Sequence, residues 1–345
     1  MNNFFDYTFD EMIQLFNEEK LQKFRVTQLW QGIYKELKPS PVEITTIGKK
    51  LAGQLGTLYS FKNLKTLDVS KSSDRETEKY LFELNDNNAI ETVKMSYHDR
   101  ETVCVSTQAG CAMNCDFCAT GKMGLKRDLS AGEIVEQVMV IQRQLAKKDK
   151  KITNIVFMGM GEPFQNYDNF LKAANILNSP EGLQLGERRM TVSTVGLPHM
   201  IRKFADENRQ INLAISLHAA NYDKRSKIVP INRKYPIGDV IKSCKYYLEK
   251  TNRRITFEYA LIHYFNDSTQ DAKALAALLK GMLCHVNLIN LNPIKGSKYQ
   301  PTSNDNAKAF LNTLETQKIP VSMRLRRGID INAGCGQLAS HNKRS

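Results

Sequence analysis

The sequence beyond residue 108 alternates between short apolar segments and segments with helical periodicity, and this alternation strongly constrains the fold. Six apolar segments have the length and composition of strands: Ile152–Met158, Met190–Val195, Ile211–His218, Ile255–Ile262, His285–Leu291 and Val321–Leu325. Helical segments lie between them, including Ile237–Leu248, Gln270–Leu279 and Ala307–Leu314. This alternation predicts an α/β fold with a parallel sheet. In such folds the chemistry lies at the carboxyl ends of the strands.

Two other patterns precede the alternation. The first sixty residues have helical periodicity, and three strand-like segments with turn residues between them follow: Thr77–Leu84, Ala89–Tyr97 and Glu101–Gln108. Two residue pairs have the spacing of a helix-capping box, Thr8 with Glu11 and Ser130 with Glu133. We therefore expect an N-terminal helical domain (1–65), an antiparallel β linker region (66–96) and a catalytic core (97–345).

Three cysteines, Cys111, Cys115 and Cys118, form the most specific motif of the chain. Three thiolates can hold a [4Fe–4S] cluster and leave one iron open to a small molecule, and radical S-adenosylmethionine (SAM) enzymes use this C-x3-C-x2-C spacing. A structural zinc site would need a fourth ligand at similar spacing, and the sequence has no second C-x2-C and no His pair that fits. A disulfide framework is disfavoured because the chain is long, has an odd number of cysteines and opens without a secretion signal.

Positive charge is concentrated in the part of the chain that carries these cysteines. Residues 1–90 have 12 basic and 13 acidic side chains, whereas residues 91–345 have 37 and 23. This distribution favours a polyanionic partner, most simply nucleic acid, but a solvated basic surface would give the same count. Because no apolar run approaches the roughly 20 residues of a membrane helix, we expect a cytoplasmic protein.

Polar residues follow the ends of the predicted strands. The segment Gly159-Met160-Gly161-Glu162-Pro163 comes directly after one strand, and its glycines would let a ligand approach the backbone. Other strands end at or near Ser193, Ser216, His218 and Asn292. Each of these residues alone is most simply a turn residue. Together with the cysteine loop they predict a ring of hydrogen-bonding groups around one pocket, which would suit SAM.

The other four cysteines fall into two groups. Cys104 lies on the strand that leads into the cysteine loop, and Cys335 lies between two glycines in a predicted loop. Cys244 and Cys284 lie among apolar residues, so we assign them to the core.

Five segments of the sequence carry a resemblance to a known family. They are Gln108-Ala109-Gly110-Cys111 through Cys118-Ala119-Thr120-Gly121, Gly159-Met160-Gly161-Glu162-Pro163, Ser216-Leu217-His218-Ala219, Ile228-Val229-Pro230-Ile231-Asn232 and Ala333-Gly334-Cys335-Gly336-Gln337-Leu338. Through these segments the chain resembles, over essentially its full length, the RlmN family of dual-specificity adenine-C2 methyltransferases of 23S rRNA and tRNA. The resemblance implies a partial (β/α)6 TIM-like barrel of radical SAM type, with an N-terminal helical domain and a short antiparallel extension.

The resemblance also implies a role for each candidate residue. Cys111, Cys115 and Cys118 would hold the [4Fe–4S] cluster. The SAM contacts would be Gly161, Glu162, Ser193, Ser216, His218 and Asn292. Cys335 would accept a methyl group from one SAM, and a second SAM, cleaved to a 5′-deoxyadenosyl radical, would activate that group for addition to C2 of adenine. Cys104 would resolve the protein–RNA adduct through a transient disulfide, and Glu91 would accept the C2 proton.

The implied products are 2-methyladenosine in the peptidyl transferase centre of 23S rRNA and in tRNA at the adenosine 3′ of the anticodon. A flavodoxin-type electron donor and a monomeric enzyme are expected. We add Arg324, Arg326 and Arg327 as candidate contacts to the RNA backbone. Gly334 stands where family members commonly have alanine, and we expect it to add flexibility near Cys335.

Three alternatives remain at this stage. The Cfr family uses the same machinery to methylate C8 of the same rRNA adenosine, although Pro163 favours RlmN. A non-catalytic Fe–S or zinc protein that binds RNA would not need Cys104 and Cys335. A radical SAM enzyme that activates a protein would leave the basic core unexplained.

Overall fold

The computed structural model describes residues 1–19 and 21–339 of the chain. This part contains fourteen strands and eleven α-helices. The helices are α1 (Phe9–Glu18), α2 (Lys23–Tyr34), α3 (Lys49–Leu58), α4 (Ala119–Lys122), α5 (Ala131–Ala146), α6 (Tyr167–Asn178), α7 (Pro198–Asp206), α8 (Tyr222–Ile228), α9 (Ile237–Thr251), α10 (Thr269–Leu279) and α11 (Asn304–Thr316). The strands are β1 (Asn2–Asn3), β2 (Tyr59–Ser60), β3 (Lys65–Lys71), β4 (Thr77–Glu83), β5 (Ala89–Ser96), β6 (Glu101–Cys104), β7 (Gln108–Gly110), β8 (Leu125–Asp128), β9 (Asn154–Phe157), β10 (Met190–Thr194), β11 (Asn212–Ser216), β12 (Ile255–Leu261), β13 (Cys284–Asn290) and β14 (Val321–Met323). Every helix among these residues is too short or too polar to cross a membrane.

One ten-stranded sheet dominates the molecule, in the order β14-β13-β12-β11-β10-β9-β6-β5-β4-β3. The strands β6 and β9–β14 run parallel to one another, and the helices α5–α11 connect them. The strands β3–β6 are antiparallel. Among the described residues the sheet stays open, with β14 and β3 at its edges. The predicted parallel α/β fold, with a partial barrel and an antiparallel extension, is therefore confirmed.

Burial of the side chains on both faces explains why the parallel strands lie at the centre of the molecule. In β12, Ile255, Phe257, Tyr259 and Leu261 on one face are completely buried, and Glu258 and Ala260 on the other face are at most 6% exposed, as expected for strands covered by helices on one face and by the barrel interior on the other. The helix α5 is buried along most of its length because it packs against α6 and against the short 3-10 helix Phe4–Asp6.

The N-terminal helices pack around aromatic side chains. The Phe4 ring stacks on Phe61 with 4.7 Å between centroids, and Trp30 lies 4.7 Å from Tyr34. This cluster is joined to α5 by polar contacts, since Gly132 N–H donates to the Asp6 carboxylate at 2.6 Å. The sequence-based division into three domains stays a prediction, and the segment 66–96 continues the same sheet as the core.

Both predicted capping boxes are present. Glu11 N–H donates to Thr8 Oγ1 at 3.2 Å while Thr8 N–H donates to the Glu11 carboxylate at 2.7 Å. The same reciprocal pair joins Ser130 and Glu133. The sequence thus located the first turns of α1 and α5 correctly.

Two strand predictions need correction. The predicted strand Glu101–Gln108 ends at Cys104, and the chain then enters a separate hairpin in which β7 pairs with β8. The strand β3 was not predicted because its side chains are mostly exposed, as is common at a sheet edge, and no hydrophobic alternation marks it. The first correction matters for function, because the hairpin redirects the chain into the cysteine loop.

Candidate active site

A single pocket lies where the parallel strands end and contains eleven of the residues predicted to form the site. They are Cys104, Cys111, Cys115, Cys118, Gly161, Glu162, Ser193, Ser216, His218, Asn292 and Cys335. The sequence placed these residues on seven different loops or strand ends, and the parallel sheet brings them together. Glu91, the twelfth, is not among the residues that line the pocket.

The cysteine loop connects β7 to the short helix α4, and both lie between the two strands of the β7–β8 hairpin. Backbone bonds fix its shape: Cys118 N–H donates to Cys115 O at 3.0 Å, and Cys111 N–H donates to Gly124 O at 3.1 Å. Burial raises the pKa of Cys111 to about 12 and also raises the pKa of Cys115 and Cys118. The free thiols are therefore protonated at neutral pH, and a bound metal centre would have to displace those protons.

These three thiols fit an iron–sulfur cluster. All three come from one loop and face one pocket, and soft sulfur donors without oxygen ligands select Fe–S clusters, zinc or Cu(I). In residues 1–19 and 21–339, no three His, Cys, Asp or Glu side chains are grouped to hold a single ion. A cluster makes a different demand, since each thiolate binds a different iron at a separate corner. The cysteine loop would thus hold a [4Fe–4S] cluster and leave one iron facing the pocket.

Glu162 lies at the centre of a buried hydrogen-bond network. Its carboxylate accepts from Val195 N–H at 2.8 Å and from Phe164 N–H at 3.1 Å, while its own N–H donates to Gln108 Oε1 at 2.8 Å. Burial raises the pKa of Glu162 to about 7, against the effect of those donors. Gln108 in turn donates to Asp128 at 2.7 Å, which ties the Glu162 loop to the hairpin before the cysteines.

The glycines beside Glu162 have a packing role that the sequence did not reveal. A Cβ on Gly161, which has φ +105°, would lie 2.6 Å from Gln108 Cβ, and one on Gly159 would lie 2.7 Å from Val105 O. Both glycines therefore allow this loop to pass directly against the segment that follows β6. The sequence analysis explained these glycines by the close approach of a ligand to the backbone. The close approach of two segments of the chain is a second reason for glycine at both positions.

His218 is neutral and has a defined orientation. Its Nδ1 accepts from Ala260 N–H at 3.1 Å, so the hydrogen is on Nε2. Burial and the Arg225 charge lower the pKa of His218 to about 3. Its backbone has φ +58°, and Asn266 Nδ2 donates to its carbonyl at 2.7 Å. Such a conformation is costly for a residue other than glycine, and strain of this kind is common at functional sites.

The cysteine loop and the strand ends also contact each other directly. The Phe117 ring meets the His218 ring edge-to-face at 4.8 Å, and Ser193 Oγ lies 3.2 Å from Ser216 Oγ. The hydroxyls come from neighbouring parallel strands and both face the pocket. They offer adjacent donors and acceptors to the hydroxyls or amine of a bound nucleoside.

The loop that carries Cys335 is attached to the cysteine loop. Ala119 N–H donates to Gly336 O at 2.7 Å, and Thr120 Oγ1 donates to Leu338 O at 2.7 Å. From the other side, Asn292 Nδ2 donates to Cys335 O at 3.2 Å. These bonds place the exposed Cys335 thiol beside the three cluster cysteines.

Asn292 keeps one group available for a ligand. Its Oδ1 is buried, and no donor in the described part of the chain reaches it. A buried acceptor without a partner is costly, so this oxygen is suited to a donor on a bound molecule. Gly334 packs against the same side chain, because a Cβ there would lie 2.5 Å from Asn292 Nδ2. The glycine that we expected to add flexibility instead provides room for Asn292.

Cys104 lies on the other wall of the same pocket, at the end of β6. Burial and the nearby Cys335 raise the pKa of Cys104 to about 12. The described cysteines are all free thiols. Cys104 is thus a buried thiol, whereas Cys335 is an exposed one on a separate loop.

The three arginines before the Cys335 loop have different surroundings. Arg324 lies 3.9 Å from the Glu258 carboxylate, and Cys335 and Glu258 raise its pKa. Arg327 forms an ion pair with Glu76 and lies over the Tyr97 ring at 4.3 Å. Arg326 is exposed at the pocket rim, which makes it the best placed of the three to meet a phosphate.

Glu91 is buried on β5, outside the pocket lining. Its carboxylate forms an ion pair with Lys79 at 2.9 Å and accepts from Ala339 N–H at 2.8 Å. Glu91 is therefore not a solvent-facing strand carboxylate, since only 4% of the residue is exposed.

The sequence analysis missed two functional candidates, one that supports the pocket and one that lines it. Gln108 positions Glu162, and Glu258 lines the pocket, where Asn287 Nδ2 donates to its carboxylate at 2.9 Å. Burial raises the pKa of Glu258. The signal for Glu258 was present in the sequence, because a carboxylate inside a parallel strand that is otherwise apolar is unusual.

Known proteins match this chain over nearly its full length. The model of the radical SAM superfamily matches residues 105–276. A curated relative from Dictyoglomus turgidum, "Probable dual-specificity RNA methyltransferase RlmN", is 44% identical over 98% of this chain and 97% of its own length. One of the same name from Caldanaerobacter subterraneus is 46% identical, with 98% of each chain covered. A crystal structure of a radical SAM methyltransferase from Sphaerobacter thermophilus, 44% identical, superposes with a TM-score of 0.97 and covers 99% of this chain and 100% of that one.

Proposed function

This chain belongs to the RlmN family of radical SAM RNA methyltransferases, and we propose that it forms 2-methyladenosine in 23S rRNA and in tRNA. Membership of the family gives the enzyme class, the [4Fe–4S] cluster, SAM and an RNA substrate. The positions that we propose are an adenosine of the peptidyl transferase centre and the adenosine 3′ of the tRNA anticodon. One observation carries the proposal furthest: five of the seven cysteines line a single pocket.

Cys335 is the proposed methyl carrier. Its thiol is exposed, and the hydrogen bonds from Ala119 and Asn292 hold its loop beside the cluster cysteines. A thiolate at this position can attack the methyl carbon of SAM, which breaks the bond to the sulfonium, releases S-adenosylhomocysteine and leaves S-methylcysteine. When bound, the cluster and a second SAM supply the one-electron chemistry that lets this methyl carbon add to an electron-poor adenine C2. Two SAM molecules are therefore used per turnover.

Cys104 is the proposed resolving thiol. It is in the same pocket as Cys335. Its sulfur can attack the Cys335 sulfur, so that a disulfide forms as the bond from Cys335 to the methylene carbon breaks. That carbon keeps the electron pair, takes up a proton and becomes the methyl group of the released base. Burial suits this role, because the high pKa of Cys104 keeps it protonated and unreactive until the adduct has formed.

Glu91 is the proposed base for the C2 proton. It holds Ala339 N–H, four residues beyond Cys335, and the ion pair with Lys79 keeps positive charge beside it. Because Glu91 is outside the pocket lining, the segment after Cys335 has to move before its carboxylate can reach the base. RNA that enters the pocket would supply the reason for this movement.

The remaining contacts follow from the pocket. Glu162, Ser193, Ser216, His218, Asn292 and the backbone at Gly161 are proposed to bind SAM, and Arg326 to contact an RNA phosphate. We also propose a monomeric cytoplasmic enzyme that takes electrons from a flavodoxin-type donor.

The test uses protein reconstituted without oxygen, with SAM, a reductant and an unmodified 23S rRNA fragment or tRNA. The RNA is digested and the methylated nucleoside is identified by mass and retention time against synthetic standards. We expect 2-methyladenosine, together with one S-adenosylhomocysteine and one 5′-deoxyadenosine for each methyl group transferred. Cys335→Ala and Cys111→Ala should abolish the product.

Other products would mean other functions. Formation of 8-methyladenosine would move the chain to Cfr chemistry. Cleavage of SAM without methylation of either RNA would overturn the proposed substrates while leaving the radical chemistry in place.

A further inference from the structure

Arg225 is a buried positive charge that the proposed reaction does not use. It lies on α8, just before the segment Ile228–Asn232 that helped to identify the family, and none of its surface is exposed. Burial lowers the pKa of Arg225 to about 10, so its guanidinium remains charged at neutral pH. A buried charge is expensive unless an opposite charge compensates for it.

The hydrogen-bond partners of Arg225 are all neutral. Its guanidinium donates to Val195 O at 2.5 Å, Leu217 O at 3.0 Å, Ser216 O at 3.4 Å and Asn232 Oδ1 at 2.8 Å. In residues 1–19 and 21–339 the groups that act on its charge are Cys115 first and then Cys244, and no carboxylate is among them. Burial raises the pKa of both cysteines, so as free thiols they are neutral at pH 7. The hydrogen bonds therefore satisfy the N–H groups and leave the charge uncompensated within the described protein.

The geometry places this charge behind the cysteine loop. Asp116 N–H, on the peptide that follows Cys115, donates to Ile228 O at the end of α8 at 3.0 Å. Val195 and Ser216, whose carbonyls Arg225 binds, both line the pocket that contains the three cluster cysteines. Arg225 thus lies beneath the pocket floor, next to the loop that would hold the cluster.

We propose that Arg225 is the buried counter-charge of the iron–sulfur cluster and raises its reduction potential. Three thiolates outweigh the 2+ charge of an oxidised [4Fe–4S] core by one unit, and reduction to the 1+ core by one electron from an external donor adds a second negative unit. A nearby fixed positive charge stabilises the reduced state more than the oxidised one, and net charge near a cluster is one of the factors that set its potential. Arg225 is a positioning residue in this sense, since it acts through the cluster and does not touch the substrate.

This inference rests on the cluster in the proposed function and not on the RNA substrate or on Cys335. Its test therefore uses the reconstituted holoenzyme alone, without SAM or RNA. The readout is the midpoint potential of the cluster, obtained by redox titration with the electron paramagnetic resonance signal of the reduced form. Failure of the wild-type protein to assemble a [4Fe–4S] cluster would contradict the proposed function itself, whereas the variants below address only Arg225.

Four variants separate charge from packing. Arg225→Gln removes the charge, and Asn232→Asp keeps the hydrogen bond to Arg225 but neutralises it with a carboxylate of the same shape. Both should shift the potential to more negative values, by about 59 mV if reduction becomes tenfold less favourable. Arg225→Lys keeps the charge and should retain the wild-type potential with a less stable fold. Arg253→Gln is the matched control, because Arg253 binds Gln210 O at 2.7 Å and Asn212 Oδ1 at 3.0 Å at the opposite end of β11.

Wild-type potentials in both Arg225→Gln and Asn232→Asp would overturn the proposal. If Arg225→Gln does not hold a cluster, Asn232→Asp decides alone. Loss of the cluster in both of these variants but not in Arg225→Lys would support the need for the charge. Loss of the cluster in Arg225→Gln, Asn232→Asp and Arg225→Lys, with the circular dichroism spectrum of the wild type, would show that Arg225 only holds the strand ends together.

Discussion

In the proposed reaction, burial of the single residue Cys104 would control the order of the chemical steps. Its thiol is buried and has a pKa of about 12, whereas Cys335 on the facing loop is exposed. We expect Cys104→Ala to stop the reaction after the carrier has bonded to RNA, because no thiol remains to release the base. A covalent protein–RNA species should accumulate, visible as a band that survives denaturing electrophoresis and disappears with ribonuclease.

The matched control for this variant is Cys284→Ala. Cys284 is also a buried free thiol, at the start of β13, and it does not line the pocket. This control should turn over normally. A Cys104→Ala enzyme that releases methylated RNA at the wild-type rate would remove Cys104 from the mechanism.

A substitution at Glu91 can show whether its carboxylate acts as the base for the C2 proton or only anchors the chain at Ala339. Glutamine can still accept the Ala339 N–H bond but cannot take a proton, so Glu91→Gln preserves the contact and removes the basicity. If Glu91 is the base, methylated product should fall by at least about a hundredfold, which is the usual contribution of a general base, and the covalent adduct should persist.

Glu83→Gln provides the comparison, since Glu83 on β4 likewise pairs with a lysine of a neighbouring strand, Lys65 at 3.0 Å. Its turnover should stay close to wild type. Normal product formation by Glu91→Gln would leave Glu91 as an anchor of the chain beyond Cys335.

At the residue scale, the sequence predicted the reactive residues better than it predicted the residues that hold them in position. Cysteines and strand-end polar residues were recognisable because their type and spacing imply reactivity. The partners of Glu162 were not, since a glutamine such as Gln108 gains its role only when a hairpin brings it 2.8 Å from another loop. Gly161 was recognised as special, but its packing against Gln108 is a long-range contact that the local sequence does not encode.

At the scale of elements, hydrophobic burial decided which predictions succeeded. All six predicted parallel strands exist, with boundaries shifted by at most two residues, because each predicted segment is short and rich in apolar residues. The edge strand β3 was missed because its side chains are mostly exposed, so its sequence shows no hydrophobic alternation. The hairpin of β7 and β8 was missed because its pairing depends on the cysteine loop between them, whose shape no local propensity specifies.

The attachment of the Cys335 loop to α4 yields a prediction at this scale. Thr120→Val keeps the shape of the side chain and removes the 2.7 Å hydrogen bond to Leu338 O. The segment 334–339 should show faster amide hydrogen exchange, and the free energy of unfolding should fall by about 1 kcal/mol or somewhat more, because a buried carbonyl loses its partner.

A suitable comparison is Thr107→Val. Thr107 is equally buried, and its Oγ1 has no partner in the described part of the chain, so the same substitution removes no hydrogen bond. Its exchange pattern at 334–339 should match wild type. Equal exchange in the two variants would mean that the Thr120 bond does not hold the loop.

The junction between the N-terminal segment and α5 gives a pH-dependent prediction. Glu136 accepts from the backbone N–H groups of Asn63 and Leu64, and burial raises its pKa to about 7. The folded state therefore binds a proton that the unfolded state releases near pH 4.5, so this group contributes stability that is lost as pH rises from about 4.5 through 7. By pH 8 this effect should have lowered the free energy of unfolding by about 3 kcal/mol at most.

In Glu136→Gln the free energy of unfolding should change less between pH 5 and pH 8 than it does in the wild type. The variant cannot ionise, and the Asn63 side-chain amide can turn over to accept from the new N–H group. Urea unfolding of both proteins at pH 5 and pH 8 measures the effect as the difference between their changes in free energy. Parallel profiles for the two proteins would show that Glu136 is not the group that titrates.

At the scale of the whole molecule, charge and topology agree on where RNA would bind. The part of the chain with 37 basic and 23 acidic residues is also the part whose strands converge on the pocket, while residues 1–90 are close to neutral. Phosphate contacts release counterions, so RNA affinity should fall steeply as salt increases, by roughly a thousandfold between about 50 and 200 mM if some six phosphates are contacted. Arg326 is the exposed arginine at the pocket rim, unlike Arg324 and Arg327, which are paired with carboxylates.

Arg326→Gln should therefore weaken binding of tRNA and of the rRNA fragment alike. It should also reduce the slope of log affinity against log salt by about one, the value for a single lost phosphate contact. Lys308→Gln removes an exposed charge from α11, a helix on the outside of the barrel, and should leave the slope unchanged. The measurement is fluorescence anisotropy at several salt concentrations. A salt slope that Arg326→Gln does not change, or one that both variants reduce equally, would mean that general basicity attracts RNA and that the pocket rim has no special role. A difference between them would show that the same strand ends that assemble the pocket also position its substrate.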